Sequence, residues 1–277
     1  TVGNGSNDVL ELLARVFLKP GHNTVVSQHA FVVYGLVTQS LGATLREVPC
    51  VDYQQDLDAT LAMIDDQTRI VFIANPNNPT GTWVRGDALE RFLKAVPATT
   101  LVVLDEAYVE YVDDPAYPNG LGLLDQFSNL VVTRTFSKAY GLAALRLGYA
   151  VSHPDVADLM NRIRQPFNVN SMALAAGLIA LEDPGHVAQG VAVNRQGLQV
   201  LNAGLADLSL AVIPSVGNFV CFDLGQDALP IYQALLMQGV IVRPIGVYGL
   251  PQHLRVSVGT HEENRVFLDA LGRVLIP

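Results

Sequence analysis

The sequence is short of cysteine, lysine and positive charge. Its 277 residues include only two cysteines, Cys50 and Cys221, which lie far apart and outside any CxxC or metal-ligand spacing. That excludes a disulfide framework and fits a reduced, cytoplasmic compartment. Subtracting 26 acidic from 17 basic residues leaves a formal charge of -9, which repels phosphate backbones and anionic lipid headgroups alike. Nucleic acid and membrane surfaces are therefore not expected partners. No run approaches the roughly 20 apolar residues needed to cross a bilayer, and no basic segment precedes an apolar signal. The six histidines show no ligand spacing, so no metal site is expected. There are three lysines, and with so few the surroundings of each are informative.

Half of the residues are hydrophobic, enough for one large core or a large domain with a smaller appendage. From about Asn7 to Val151 short β-branched runs alternate with amphipathic stretches, the pattern of a mostly parallel sheet covered by helices. Strands are predicted over Thr24–Ser27, Thr44–Val48, Arg69–Ala74, Thr99–Asp105, Leu130–Arg134 and Leu147–Val151. Helices are predicted over Asp8–Phe17, Ala30–Leu41, Gly86–Ala95 and Pro154–Arg164. After about Pro166 come two helical stretches, Ser171–Glu182 and His186–Leu205, broken at Asp183-Pro184-Gly185. A smaller α+β unit follows, with strands near Phe219–Asp223, Val240–Arg243 and Leu254–Ser257 and a terminal helix after Thr260. The division expected is a large domain over residues 1–185, then a connecting helix and small domain over residues 186–277.

Lys19 precedes Pro20-Gly21 and Lys94 closes a predicted helix, places where a cation complements the helix dipole. Lys138 is different. It follows a buried strand in Thr135-Phe136-Ser137-Lys138, with Arg146 eight residues on, so an amine, two hydroxyls and a guanidinium gather at the carboxyl edge of the sheet. Ligands of open α/β folds bind at that edge. Asp105 ends an apolar strand and, if buried, needs a cationic partner such as a protonated pyridine nitrogen; its other reading is a helix N-cap. Asn75-Pro76-Asn77-Asn78-Pro79-Thr80-Gly81 reads either as an ordinary rigid turn or as one that holds Asn78 against a planar ligand. Gly3-Asn4-Gly5-Ser6-Asn7-Asp8 leads into a helix. It offers either a phosphate cup of free backbone N–H groups or simply an N-cap at Ser6 or Asn7.

Asn78-Pro79-Thr80-Gly81, Asp105-Glu106-Ala107-Tyr108 and Ser137-Lys138 with Arg146-Leu147-Gly148, in this order and spacing, resemble the histidinol-phosphate aminotransferase family of fold-type-I enzymes. Gly5-Ser6-Asn7 and Leu254-Arg255-Val256-Ser257-Val258-Gly259 fit the same pattern, so the likeness spans essentially the whole chain. It implies an α/β, aspartate aminotransferase-like fold, mainly parallel in the large domain, and a pyridoxal 5'-phosphate cofactor. It further implies that Lys138 carries the cofactor as a Schiff base and that Asp105 pairs with the pyridinium nitrogen. Asn78 and Tyr108 would bond the phenolic oxygen, and Phe31 would stack on the ring, unless it is a core helix residue. Ser6, Asn7, Thr135, Ser137 and Arg146 would hold the phosphate. Arg255 would fix the substrate's acidic group, with Arg243 as a second arginine, unless solvated, and Asn218 nearby. The implied reaction takes L-histidinol phosphate as amino donor and 2-oxoglutarate as acceptor, in a homodimer. The family's further N-terminal stretch, which supplies part of the small domain and a tyrosine for the neighbouring subunit, does not occur in this chain. The expectation is a nearly complete cofactor site and an incomplete substrate site. An aromatic or broad-specificity aminotransferase, a same-fold decarboxylase of an amino-acid phosphate, or an inactive truncated cofactor-binding protein are the alternatives.

Overall fold

Strands that are apolar at every position need cover on both faces, and the chain supplies it by placing helices on both sides of one sheet. The computed structural model describes residues 1–275. The first part of the chain runs β1 (Val2–Asn4), α1 (Ser6–Phe17), β2 (Asn23–Ser27), α2 (Val32–Ser40), β3 (Thr44–Val48), α3 (Leu57–Ala62) and β4 (Thr68–Ala74). It continues through α4 (Gly86–Ala95), β5 (Leu101–Asp105), β6 (Leu130–Thr135), β7 (Leu147–Ser152) and α5 (Pro154–Ile163). Two helices, α6 (Ser171–Glu182) and α7 (Pro184–Asp207), lead to β8 (Ala211–Ile213), β9 (Phe219–Asp223), α8 (Ala228–Met237), β10 (Arg243–Pro244), β11 (His253–Ser257) and α9 (His261–Leu275).

The seven-stranded sheet has the order β1-β7-β6-β5-β4-β2-β3. The pairs from β3 across to β6 are parallel, and β7 runs antiparallel to both of its neighbours, β6 and β1. Alternate residues feed two cores: Phe72, Val103 and Val131 pack with α1, α2 and α5, while Val71, Ile73, Val102, Leu104 and Val132 pack with α3 and α4. α1 shows how this is encoded, since Val9, Leu10, Leu13 and Ala14 recur at helical spacing on its one buried stripe. This is the α/β architecture expected. β1 runs parallel to β6, so six strands point their carboxyl ends to one edge, and β7 begins at that same edge.

The four-stranded antiparallel sheet, in the order β10-β11-β9-β8, covers α7, α8 and α9 with Leu254, Val256, Val220 and Phe222. Its other face meets the first sheet's carboxyl edge. There Cys221 Sγ donates to the Pro79 carbonyl at 2.7 Å, and Tyr108 lies edge-on to Phe219 with centroids 5.3 Å apart.

Several expectations are corrected. Gly3 and Asn4, expected to lead into the helix, belong to an edge strand, Val2–Asn4, and α3, β8 and α8 were not expected. Instead of a strand over Val240–Arg243 there is a two-residue strand, Arg243–Pro244, because the Val240 N–H is spent on the Leu235 carbonyl at the end of α8. The break expected at Asp183-Pro184-Gly185 is narrower than that triplet, with Asp183 alone separating α6 from α7. Asp183 caps α7 by accepting from the His186 N–H at 3.0 Å, and Pro184 occupies the first turn, where a missing N–H costs nothing.

Candidate active site

The carboxyl ends of β1, β2, β4, β5 and β6, with the entry to β7, surround a cavity of about 210 Å³. All ten residues expected to touch the cofactor line it: Ser6, Asn7, Phe31, Asn78, Asp105, Tyr108, Thr135, Ser137, Lys138 and Arg146. Each lies within a few residues of a strand end, and the shared edge brings them together despite separations of up to 140 positions, as between Ser6 and Arg146 (146 - 6).

Lys138 is half-buried, with its amine 5.3 Å from the centroid of the Tyr108 ring. Burial is the largest influence on that amine, and with the guanidinium groups of Arg255 and Arg146 it holds the pKa below the usual lysine range, against the opposing pull of Asp105. A larger share of neutral, nucleophilic amine results. Lys94 instead pairs with Glu90 at 3.2 Å on an exposed helix face, and Lys19 is exposed.

Asp105 is 5 % exposed and does not cap a regular helix. Burial pushes its pKa up, opposed in turn by hydrogen bonds from Tyr34, Thr133 and the Ala107 N–H and by the Lys138 charge. The Tyr34 hydroxyl donates to Oδ2 at 2.8 Å and that of Thr133 to Oδ1 at 3.1 Å. Tyr34 is the functional candidate that sequence reasoning missed; as a helix residue between apolar neighbours it gave no local signal. The adjacent Glu106 points to the other side of the sheet, where its Oε2 accepts from Arg134 Nη2 at 2.7 Å and its Oε1 from the Gly120 N–H at 2.9 Å.

At the far end of the cavity α1 begins without a side-chain cap, so neither Ser6 nor Asn7 is the N-cap; Gly5 is, at φ 81°. Its first-turn N–H groups and positive dipole end are thus free for an anion. Arg146 stands opposite in a left-handed conformation, φ 59°, which costs a non-glycine residue about 1–3 kcal/mol and clusters at functional sites. A Cβ on Gly5 would come within 2.4 Å of Arg146 Nη2 and one on Gly148 within 2.2 Å of the Ser6 nitrogen, so both glycines permit the close approach. Arg146 Nη1 also donates to Ser137 Oγ at 3.4 Å, and the Ser137 N–H donates to Thr135 Oγ1 at 3.1 Å. Two hydroxyls, a guanidinium and a helix end are the donor set that a phosphate monoester requires.

Phe31 is the N-cap residue of α2, half-buried on the cavity wall, and not a core helix residue. Asn78 Oδ1 accepts a hydrogen bond from Arg255 Nη1, and the Arg255 guanidinium lies 5.0 Å from the Phe219 ring. Arg255 Nε is buried without a partner. Arg243 sits directly opposite Arg255 in the β10–β11 ladder, but it is exposed and faces a second cavity shared with Arg255 and Ser257. Asn218 does not line the main cavity; its carbonyl accepts from the Val258 N–H at 2.9 Å. Among the described residues no group of three or more His, Cys, Asp or Glu could hold a metal ion, and no helix is long and apolar enough to cross a membrane.

The family model "Aminotransferase class I and II" matches residues 1–271. A protein of Pseudomonas fluorescens named histidinol-phosphate aminotransferase 2 is 58 % identical over 275 residues, which is 99 % of this chain and 74 % of that one. Among solved structures, histidinol-phosphate aminotransferase from Sinorhizobium meliloti in complex with pyridoxal-5'-phosphate superposes with a TM-score of 0.94 at 33 % identity, covering 99 % of this chain and 76 % of that one. Aspartate aminotransferase from Thermus thermophilus shares the fold, with a TM-score of 0.89 at 24 % identity over 99 % of this chain and 75 % of the other.

Proposed function

The chain belongs to the class I and II aminotransferases, and we propose that within them it is a pyridoxal-phosphate-dependent histidinol-phosphate aminotransferase. It transfers the amino group of L-histidinol phosphate to 2-oxoglutarate, giving imidazole-acetol phosphate and glutamate, and works in the cytoplasm. The observation that carries this reading is the convergence of a half-buried amine, a buried carboxylate and an uncapped helix end facing an arginine on one cavity.

The residues present fit the cofactor. Ser6, Asn7, Thr135, Ser137 and Arg146 would hold its phosphate, and Lys138 would attach it. Asn78 and Tyr108 would bond the ring's phenolic oxygen, Phe31 would lie on the ring face, and Asp105 would be the counter-charge of the ring nitrogen. When bound, the cofactor supplies an electron sink for the pair left as a substrate Cα proton departs. Lys138 Nζ takes and returns that proton, a task suited to an amine whose basicity burial has lowered. Tyr108 remains a protonated donor, because burial raises its pKa well past its ordinary value. Arg255 fixes the anionic end of each substrate, and Arg243 beside it adds a second charge suited to a phosphate ester. Residues 1–185 form the cofactor domain and residues 186–277 a connecting helix and small domain.

The chain also works as a homodimer. α6 is apolar on nearly every side, yet Met172, Leu178 and Ile179 are exposed, and Phe167 just before it is 97 % exposed. An apolar patch of this kind marks an interface.

The test is to load the purified chain with pyridoxal phosphate and follow glutamate formation from L-histidinol phosphate with and without 2-oxoglutarate. Acceptor-dependent turnover is expected. Release of carbon dioxide from an amino-acid phosphate, or equal use of phenylalanine, would overturn the proposed substrate assignment.

A further inference from the structure

Tyr34 lies in the first turn of α2, 1 % exposed, and its ring is clamped. It stacks on Phe72 with centroids 4.7 Å apart and planes 4° from parallel, while Phe31 meets it edge-on at 5.7 Å. The hydroxyl is thereby held in one place, 2.8 Å from Asp105 Oδ2, while Thr133 takes the other carboxylate oxygen from the neighbouring strand. We propose that Tyr34 is a positioning residue for Asp105, fixing the carboxylate plane and stabilising its negative charge toward the ring nitrogen of bound pyridoxal phosphate. This rests on the proposed function and goes beyond it, since Tyr34 need not touch the reacting atoms.

A carboxylate removed from water takes up a proton unless donors hold the charge. A neutral Asp105 could not balance a pyridinium. Among the influences that keep it ionised, the Tyr34 hydroxyl is the largest, ahead of Thr133, the Ala107 N–H and the Lys138 amine. Tyr34 cannot turn into a competing anion, because burial and Asp105 itself raise its pKa well above the ordinary tyrosine value. The other ionisable groups around Asp105 are Tyr108 and Glu106 from its own strand end, and Tyr117 from the loop beyond. Glu106 is paired with Arg134, and both tyrosines stay protonated, so the groups that contact Asp105 directly, the Tyr34 hydroxyl foremost, set its response to pH. One helix start thus places two groups of the site: Phe31 at the cavity wall and, three residues on, the hydroxyl that holds the carboxylate.

The experiment uses the holoenzyme and the variant Tyr34→Phe, which removes one oxygen and keeps both ring contacts. Loss of a hydrogen bond to a charged group should lower kcat roughly ten- to a hundredfold with little change in KM. Because Asp105 then holds its proton to higher pH, the acid limb of kcat/KM should move upward in pH. The midpoint at which the bound cofactor's absorbance changes should move the same way, a readout independent of turnover. Thr133→Val, which leaves α2 untouched, should shift both in the same direction by less. The double variant Tyr34→Phe/Asp105→Asn should be no slower than Asp105→Asn, since Tyr34 acts only through the carboxylate. Unmoved acid limb and absorbance midpoint in Tyr34→Phe, or a double variant slowed by the product of the two single effects, would overturn the inference. Parent-like rates in Asp105→Asn would instead overturn the role proposed for Asp105 itself. A slow Asp105→Asn beside a silent Tyr34→Phe would remove only the role of Tyr34.

Discussion

Glu110 sits behind the sheet, in the short 3-10 turn Val109–Tyr111, with Oε2 buried and without a hydrogen-bond partner. Burial chiefly, and the nearby Glu106 charge, push its pKa from the ordinary 4.5 up to about 7 even though Arg134 pulls the other way. The folded protein therefore keeps a proton that the unfolded chain has already released, and stability must fall as pH rises through that interval. At roughly 1.4 kcal/mol for each factor of ten in proton affinity, the interval from 4.5 to about 7 amounts to about 3 kcal/mol. Glu110→Gln keeps the shape and never ionises, so it avoids that loss. Thermal unfolding of parent and variant should nearly coincide at about pH 5 and diverge through pH 7. By about pH 8 the variant should melt roughly 5–10 °C higher. A melting difference that stays constant across this range, or a variant less stable than the parent at about pH 8, would show that Glu110 ionises freely in the folded protein.

Lys138→Ala should abolish turnover and the visible absorbance of lysine-linked cofactor, and a borohydride-reduced peptide should map to Lys138; mapping to Lys19 or Lys94 would refute the assignment. Arg255→Ala should weaken every donor and acceptor by about ten- to a hundredfold in kcat/KM, the size of a lost charge-assisted bond. Arg243→Ala should raise KM for histidinol phosphate more than for phenylalanine, and equal effects in steady-state profiles would favour a broad-specificity enzyme. Ile179→Glu should shift sedimentation toward monomer by placing a charge in the apolar face of α6, and an unchanged profile would put the interface elsewhere.

What the sequence determined by itself is whatever a few consecutive residues can encode. The runs over β4, β5 and β6 are apolar at nearly every position, so their burial on both faces was legible, as was the helical stripe of α1. Most of the cavity-lining residues were legible because they lie beside a strand end within a short motif. Only the sheet's strand order decided that β1 runs alongside β7, which sets the uncapped start of α1 against Arg146 and makes a single cup from the start of the chain and its middle. Strand pairing over such separations depends on crossover connections that no local pattern specifies. Tyr34 was unreadable for the same reason: its partner Asp105 lies 71 residues on, and its polar tip emerges from a helix that otherwise reads as core. Arg243 shows the converse: it was expected as a second arginine near Arg255, and the β10–β11 ladder sets the two opposite each other, but Arg243 is exposed on a second cavity and does not line the main one. Local chemistry selected the residues; the order and direction of the strands decided which of them meet.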